Sequence, residues 1–296
     1  MRTWRGATIH ELTLHVLMGV LLLAAAGCTQ LQVGHKSPLN PPIMNTDSAA
    51  VDIFFVRVPY GDPIVEKLWK SVDEQAIPAE TRKELYRNGF RVGRIAGPLP
   101  PELADLLRLT DAPVTQDTLE TIEDPGNADE SAPVRRHLQT KPHQRAELLA
   151  SSVYDELPLL RRDSNGQIVG QTVYRAQGVF AMTLAPKPDA TVCIQLVPEV
   201  HYGEPRVQPV ATEGLVRWEM RRDRIVLNDL TIKMDLAPGD MLLLTCVPDQ
   251  PGSLGGRFFT AASSGKREQK LIAIRLSQVQ NNPSFQGNTV ATAPLR

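Results

Sequence analysis

Residues 231–247, TIKMDLAPGDMLLLTCV, carry the clearest structural pattern in this chain. Apolar and polar side chains alternate through residues 231–236, which is typical of a β-strand with one buried face. Residues 238–240, Pro-Gly-Asp, are turn formers. Residues 241–247 are an apolar run of strand length. The segment therefore predicts two consecutive strands joined by a turn.

The same pattern extends in both directions. Between residues 147 and 280, short apolar runs recur about every 8–14 residues, with turn residues between them. Asn165-Gly166, between two such runs, is a strong hairpin signal. Many short strands at this spacing are typical of a β-sandwich. We therefore predict a β-sandwich-like domain over residues 147–280.

A different pattern precedes it. Residues 51–58, VDIFFVRV, predict a strand, and Asp62 followed by Pro63 predicts the start of a helix. Residues 79–87 predict a second helix, residues 90–95 a second strand, and Pro101 the start of a third helix. These elements indicate a small α/β unit over residues 51–108. The predicted fold class is α+β, mainly β, with a C-terminal β-sandwich preceded by this unit.

The remaining segments have the composition of connections and ends. Residues 28–50 are polar and rich in proline, which is typical of a flexible tether. Residues 109–134 contain seven acidic residues and no Lys or Arg, and a basic stretch follows, so we expect a linker over residues 109–146. Residues 281–296 are expected to be a disordered tail.

The N-terminus has the features of a signal peptide. Arg2 and Arg5 are followed by an apolar run from Val16 to Ala26. A membrane-spanning helix needs about 20 apolar residues, and this run is much shorter. Its length and the small residues at its end are typical of a segment removed during export. We therefore expect residues 1–27 to be a signal peptide.

The end of the leader resembles the lipobox of bacterial lipoproteins. Ala25-Ala26-Gly27-Cys28 matches that motif, except that Ala25 stands where the family usually has Leu. The resemblance covers the leader only, and it implies that Cys28 carries lipid and attaches the protein to a membrane. Thr29 after the cysteine implies the outer membrane, facing the periplasm, rather than the inner membrane. Ordinary secretion after Ala26 and an uncleaved anchor are the alternatives.

Charge argues against one class of partner. Without the leader, 30 basic and 32 acidic residues give a net charge of −2. Nucleic-acid binding depends on a basic surface, which this composition does not provide. No nucleotide, cofactor or metal motif is present, so we expect neither cofactor nor metal and assign no catalytic residue.

Cys193 and Cys246 remain after Cys28, and each lies in an apolar run. In an oxidising compartment they can form a disulfide. The alternative is two small buried side chains without a bond.

Three segments were considered for chemistry. Glu199 and His201 share a strand face, with Glu204 nearby, and can begin a metal site or orient a general base, but a third ligand is missing. The alternative is a set of exposed polar residues. Asp163-Ser-Asn-Gly is interpreted as a turn rather than a calcium loop. Pro251–Gly256, PGSLGG, lacks the nucleophile-elbow pattern, and no helix is expected after it.

These patterns favour binding over catalysis. Trp218 with nearby arginines and the glycines of the PGSLGG loop form the candidate partner surface: Trp218, Arg217, Arg221, Gly252, Gly255 and Gly256. The alternatives are a strand with one buried Trp and a charged outer face, and glycines that let a long loop turn tightly. We expect an interaction or structural component of the cell envelope with an envelope protein as partner. A glycan- or peptide-binding sandwich is the alternative, and a hydrolase using Glu199 and His201 is a weaker one.

Overall fold

The computed structural model describes residues 48–107 and 133–280, except residues 164, 213–214 and 264, together with the pairs 115–116 and 121–122. All of them belong to the unit that extends from Met44 to Arg296. The predicted signal peptide, Cys28, most of the predicted tether and the predicted tail lie outside the described residues.

Sheet A contains seven strands in the order β2-β12-β14-β1-β5-β3, with β13 also pairing with β14. All its pairs are antiparallel except β3–β5. Its strands are β1 (Ser48–Pro59), β2 (Phe90–Ile95), β3 (Thr115–Gln116), β5 (Val134–Thr140), β12 (Met241–Cys246), β13 (Thr260–Ser263) and β14 (Lys266–Gln280).

Sheet B also contains seven strands, in the order β10-β9-β8-β6-β4, with β11 beside β9 and β7 beside β8. Its one parallel pair is β4–β6. Its strands are β4 (Thr121–Ile122), β6 (Ala146–Leu149), β7 (Tyr154–Arg162), β8 (Ile168–Pro186), β9 (Val192–Thr212), β10 (Leu215–Val226) and β11 (Ile232–Leu236).

In the described residues, four short α-helices accompany the sheets. The side chain of Asp62 accepts a hydrogen bond from the backbone N–H of Ile64 and caps the first helix, as predicted. None of the helices in the described residues has the length and hydropathy needed to cross a bilayer. The helices are α1 (Pro63–Trp69), α2 (Ala79–Arg87), α3 (Pro101–Leu107) and α4 (Leu254–Phe259), and two 3-10 turns cover Glu74–Ala76 and Asn228–Leu230.

Strand β1 is buried on both faces and separates two apolar cores. Val51, Ile53 and Phe55 point into the core between the sheets. Phe54 and Val56 point to the outer face of sheet A, where they join side chains of α1 and α3. A strand covered on both faces is expected to be apolar almost throughout, which accounts for its sequence.

The α+β, mainly β prediction is confirmed. The predicted α/β unit, however, is not a separate layer. Its first strand, β1, pairs with β14, and its second, β2, pairs with β12. The predicted linker also contributes strand β5, which pairs with β1. These partners are far apart in sequence, so patterns within a few residues could not predict that they pair.

Two other predicted boundaries differ from the structure. The apolar runs of the sequence predict two strands, over residues 168–175 and 179–184, but these residues form the single strand β8, with Arg175 at φ 51°. After PGSLGG, the sequence pattern predicts a strand over residues 258–261. Instead, helix α4 runs from Leu254 to Phe259, because the Ser253 side chain accepts a hydrogen bond from the backbone N–H of Gly256 and caps it.

The disulfide considered for Cys193 and Cys246 is not formed, and both thiols are free. Cys246 is part of the core between the sheets. In β9 the neighbours Val192 and Ile194 point into that core, so Cys193 points to the opposite, outer face of sheet B. The sheet itself separates the two side chains. Burial raises the pKa of the Cys246 thiol to about 11.

Candidate functional site

Strands β9 and β10 continue beyond the body of sheet B. The pairing of β8 with β9 ends at Gln177 opposite His201. From there the pairing of β9 with β10 continues to Thr212 opposite Leu215. We call residues 202–212 and 215–223 the distal ribbon. A two-stranded ribbon without further cover is only marginally stable in water.

One face of the distal ribbon is apolar. Val216, Trp218 and Met220 alternate along β10, and they stand opposite Ala211, Pro209 and Val207 of β9. The side chains of Val216, Trp218 and Met220 are 67%, 68% and 65% exposed, and that of Val207 is 60% exposed. A contiguous exposed apolar row of this kind is a common mark of an interaction surface.

The ribbon also has an open edge. β10 is the last strand in the order of sheet B among the described residues. Every second residue of an edge strand directs its backbone N–H and C=O groups away from the sheet, where they can pair with another strand. The ribbon therefore offers apolar side chains and backbone hydrogen-bonding groups together.

The sequence analysis grouped Trp218 with Arg217 and Arg221, but the structure places these positions on opposite faces of the ribbon. Arg217 and Arg221 alternate with Trp218, so their positions belong to the opposite face of the ribbon. On that face Arg221 donates a hydrogen bond of 2.9 Å to Glu219. Trp218 is thus part of an apolar face, and the charged residues belong to its reverse.

The glycines predicted for the same surface lie elsewhere. Gly255 and Gly256 are buried in α4, and the Gly255 N–H donates to the carbonyl oxygen of Asn88 at 2.8 Å. A Cβ atom on Gly255 would lie 2.1 Å from the carbonyl oxygen of Gly89. These two glycines therefore serve a close internal contact, which corrects their assignment to a partner surface. Gly252 is exposed but has nothing within 4 Å of its Cβ position.

Glu199 and His201 do come together, as their spacing predicts. His201 Nε2 lies 2.8 Å from Oε2 of Glu199, which is 2% exposed. Arg145 also donates two hydrogen bonds, of 2.9 and 2.7 Å, to the same carboxylate. Arg145 came from the predicted linker and was missed because nothing in its sequence neighbourhood points to β9. Glu204 instead pairs with Arg175 at 3.0 Å.

This network holds a carboxylate in its charged form. Burial alone would raise the pKa of Glu199, but hydrogen bonds from His201 and Arg145 and the charges of Arg145 and Arg224 lower it to about 2. A carboxylate held by a bidentate arginine is a poor general base. Glu199 lies where β9 pairs with both β8 and β10, so its bonds to Arg145 connect the base of the distal ribbon to the segment that leads into β6.

A second charged network lies on the outer face of sheet A. Asp52 of β1 accepts a hydrogen bond from Arg135 and lies beside His137, each at 2.9 Å, and it also accepts one from Ser277. Burial would raise the pKa of Asp52, but these hydrogen bonds and the Arg135 charge hold it below its usual value. The sequence signal for this network was a lone Asp within an apolar strand, together with an Arg and a His two residues apart.

A cleft of about 350 Å³ lies beside that network. Arg275, which stands opposite Asp52 in the sheet, contributes to its wall. The rest of the wall is mostly apolar and includes Phe54, Ile95, Leu99, Leu107 and Met241. Neither Trp218 nor Tyr202 is among the residues that line this cleft.

The other segments considered for chemistry have structural roles. Asp163 accepts hydrogen bonds from the backbone N–H groups of Asn165 and Gln167, which confirms the predicted turn. Ser253 caps α4 and donates to the carbonyl oxygen of Gln250. In the described part of the chain, no three His, Cys, Asp or Glu side chains are grouped so that they could hold a metal ion.

Comparison of the chain with protein-family models, with curated proteins and with solved structures gives no match.

Proposed function

We propose that this protein is an interaction component of the bacterial cell envelope, and that the distal ribbon is the part that binds its protein partner. The observation that supports this most directly is the apolar row of Val207, Val216, Trp218 and Met220, each at least 60% exposed. Exposed tryptophan at the centre of such a row is typical of residues that dominate binding energy.

The chemistry of the ribbon defines the kind of partner. An open strand edge favours a partner that contributes a strand of its own, since main-chain hydrogen bonds then extend the sheet. The apolar face of the ribbon favours a partner strand whose side chains on the same face are uncharged. The bonds between Arg145 and Glu199 attach the base of the ribbon to the body of sheet B.

The leader supports the location that we propose. A lipid on Cys28 would attach the mature chain to a membrane, the outer membrane facing the periplasm in preference to the inner one. Acyl chains contribute about 0.8 kcal/mol for each buried methylene, so a lipidated cysteine anchors strongly without help from the folded part. Residues between Cys28 and β1 would then act as the tether.

Site-specific photo-crosslinking in intact cells tests this function. A photo-reactive amino acid replaces Trp218 on the distal ribbon, and in a matched control it replaces Tyr174, which is 60% exposed on β8. We expect one discrete adduct from position 218 and none from position 174. The absence of any discrete adduct from position 218 would remove the ribbon from consideration as a binding surface.

A second candidate function is the binding of a small ligand, and the cleft beside Arg275 favours it. Its apolar wall and single cationic side chain suit a small amphiphilic anion. Arg275→Gln removes the cationic side chain of the wall at an exposed position, so a loss of affinity for an anionic ligand in that variant would support this candidate. An unchanged affinity would exclude the cleft as the binding site.

A further inference from the structure

We infer that the partner of the distal ribbon is a second copy of this chain, joined by antiparallel pairing of the two β10 edges with Trp218 opposite Trp218. This inference rests on the proposed function, because it names the partner of the same surface. It is carried by the order of residues along β10 and by their register with β9.

The apolar face continues across such a junction. In an antiparallel pair centred on Trp218, Val216 stands opposite Met220 of the partner subunit, and Met220 stands opposite Val216 of the partner subunit. Within each chain these residues already stand opposite Ala211, Pro209 and Val207. Pairing therefore creates four adjacent strands with three rows of apolar residues on one face. Trp218, which now has a strand neighbour on one side only, gains one on the other.

The reverse face is complementary in the same register. Position 217 stands opposite position 219, so Arg217 occupies the register position across from Glu219 of the partner subunit. The two-fold axis repeats this pair, which gives two oppositely charged contacts across the junction. Opposite charges directly across neighbouring strands are stabilising, and like charges there are destabilising. The charge order along this edge therefore fits a copy of itself, as an isologous interface requires.

The neighbouring registers are less favourable. Centring the pair on Glu219 would set two glutamates opposite each other and Arg217 opposite Arg221 of the partner subunit. Centring it on Met220 would extend the pairing into the irregularity between Arg221 and Asp223, where the register with β9 shifts. The Trp218 register uses only residues 215–221, which pair regularly with β9. Of these three registers, the one centred on Trp218 keeps the pairing regular and sets no like charges opposite each other.

Charge exchange between two tagged forms of the full-length protein tests the inference. Arg217→Glu and Glu219→Arg are each made alone, and both forms are purified in mild detergent. We expect the wild-type chain to self-associate and each variant alone to bind itself about tenfold more weakly, because two like-charged contacts form across the axis. Mixing the two variants restores opposite charges at both contacts, so we expect the mixed pair to associate as the wild type does.

Arg206→Glu provides the matched control. It makes the same change of charge on the same ribbon, but on β9, one strand away from the junction. We expect its self-association to equal that of the wild type. Urea unfolding of all three variants establishes that each is folded. Self-association that survives both single reversals, or that mixing does not restore, would overturn the β10 pairing.

Failure of this inference is distinguishable from failure of the proposed function. If the wild-type chain does not self-associate while the photo-crosslinker at position 218 joins a different polypeptide, the second copy is excluded and the ribbon remains a binding surface. If position 218 joins nothing and the chain does not self-associate, both proposals fall. An adduct of twice the chain mass supports both.

Discussion

Sheet B contains two long hairpins of similar length, and they differ in how much of their apolar surface the rest of the chain buries. The hairpin of β7 with residues 168–176 of β8 packs one face onto the body, where Leu157 and Leu159 are 1% and 2% exposed. The distal ribbon leaves its apolar face in solvent, with Trp218 68% exposed. Apolar and charged side chains alternate along residues 216–221 of β10, whereas the β7–β8 hairpin has adjacent apolar residues and exposes Leu160 and Ile168 on its other face.

Specific contacts account for the difference. The Asn88 side chain accepts a hydrogen bond from the Arg162 N–H and donates one to the Arg162 carbonyl oxygen, at 2.8 and 3.1 Å. Arg161 bonds to Asp229 at 2.8 Å, and the Tyr154 hydroxyl donates to the carbonyl oxygen of Arg257 at 2.7 Å. These bonds hold the β7–β8 hairpin along its length. Near its base, the distal ribbon is joined to the rest of sheet B by the Glu199 network and by the ion pair of Glu204 with Arg175. An apolar alternation thus marks a face that needs cover, and tertiary contacts decide whether the same chain provides it.

The largest expected effect comes from removing a side chain that holds the first hairpin. Leu157→Ala leaves a cavity in the core between the sheets and should lower the free energy of unfolding by about 3 kcal/mol. Trp218→Ala removes a larger side chain but exposes no core, so its effect at low protein concentration should stay below about 0.5 kcal/mol. Urea unfolding of both variants measures this contrast. Equal losses of unfolding free energy in the two variants would mean that Trp218 is buried within its own chain, so the two hairpins would not differ in burial.

The next largest effect concerns the base of the distal ribbon. Glu199→Gln removes the charge that Arg145 and His201 contact and should cost about 2–3 kcal/mol of unfolding free energy. Glu204→Gln is the matched control, because its ion pair with Arg175 is more than half exposed. That variant should lose less than about 0.5 kcal/mol. A control that is as destabilised as Glu199→Gln would show that the ribbon is held beyond its base.

Acid should act through the same carboxylate. The pKa of Glu199 is about 2 in the folded chain and has the ordinary value of 4.5 without its contacts. Its contribution to stability is therefore complete above 4.5 and is lost as the pH falls through about 2. Unfolding free energies measured between about pH 5 and pH 2 should fall more steeply for the wild type than for Glu199→Gln. Parallel curves would contradict this assignment.

A smaller effect is expected where the first hairpin is secured at its far end. Asn88→Ala removes both bonds to the Arg162 backbone and should cost about 1–2 kcal/mol. Hydrogen exchange at the Arg162 amide should accelerate, while exchange in β12 should follow global unfolding only. Unchanged protection at Arg162 would show that Leu157 and Leu159 hold this hairpin without Asn88.

The smallest effect on stability is expected from an experiment that compares the reactivity of the two thiols. Cys193, on the outer face of sheet B, should react with iodoacetamide in the folded protein, whereas buried Cys246, with a pKa of about 11, should react only after unfolding. Mass spectrometry of the peptides, with Cys193→Ser as the control, measures both. Two thiols that resist alkylation until a reductant is added would indicate the disulfide instead.

The candidate site shows how far local patterns reach. The spacing of Glu199 and His201 predicted their contact, and the alternation of Val216, Trp218 and Met220 was also visible in the sequence. The sequence interpretation grouped Trp218 with its neighbouring arginines, although successive strand residues point to opposite faces. Arg145 could not be predicted as the partner of Glu199, because 54 positions separate them and only the sheet brings them together.

By itself, the sequence determined the elements of this protein: the ends of α2 and β2, the cap of α1, the turn at Asp163 and the β-rich class. These depend on side chains a few residues apart, so local periodicity and capping chemistry specify them. Only the tertiary structure decided which strands pair, that β1 and β2 join strands from the far end of the chain, and that α4 replaces a predicted strand. It also decided that one hairpin is covered and the other left open. Those outcomes depend on contacts between distant segments. The free energies of these contacts add up over the whole fold, so no single stretch of residues predicts them.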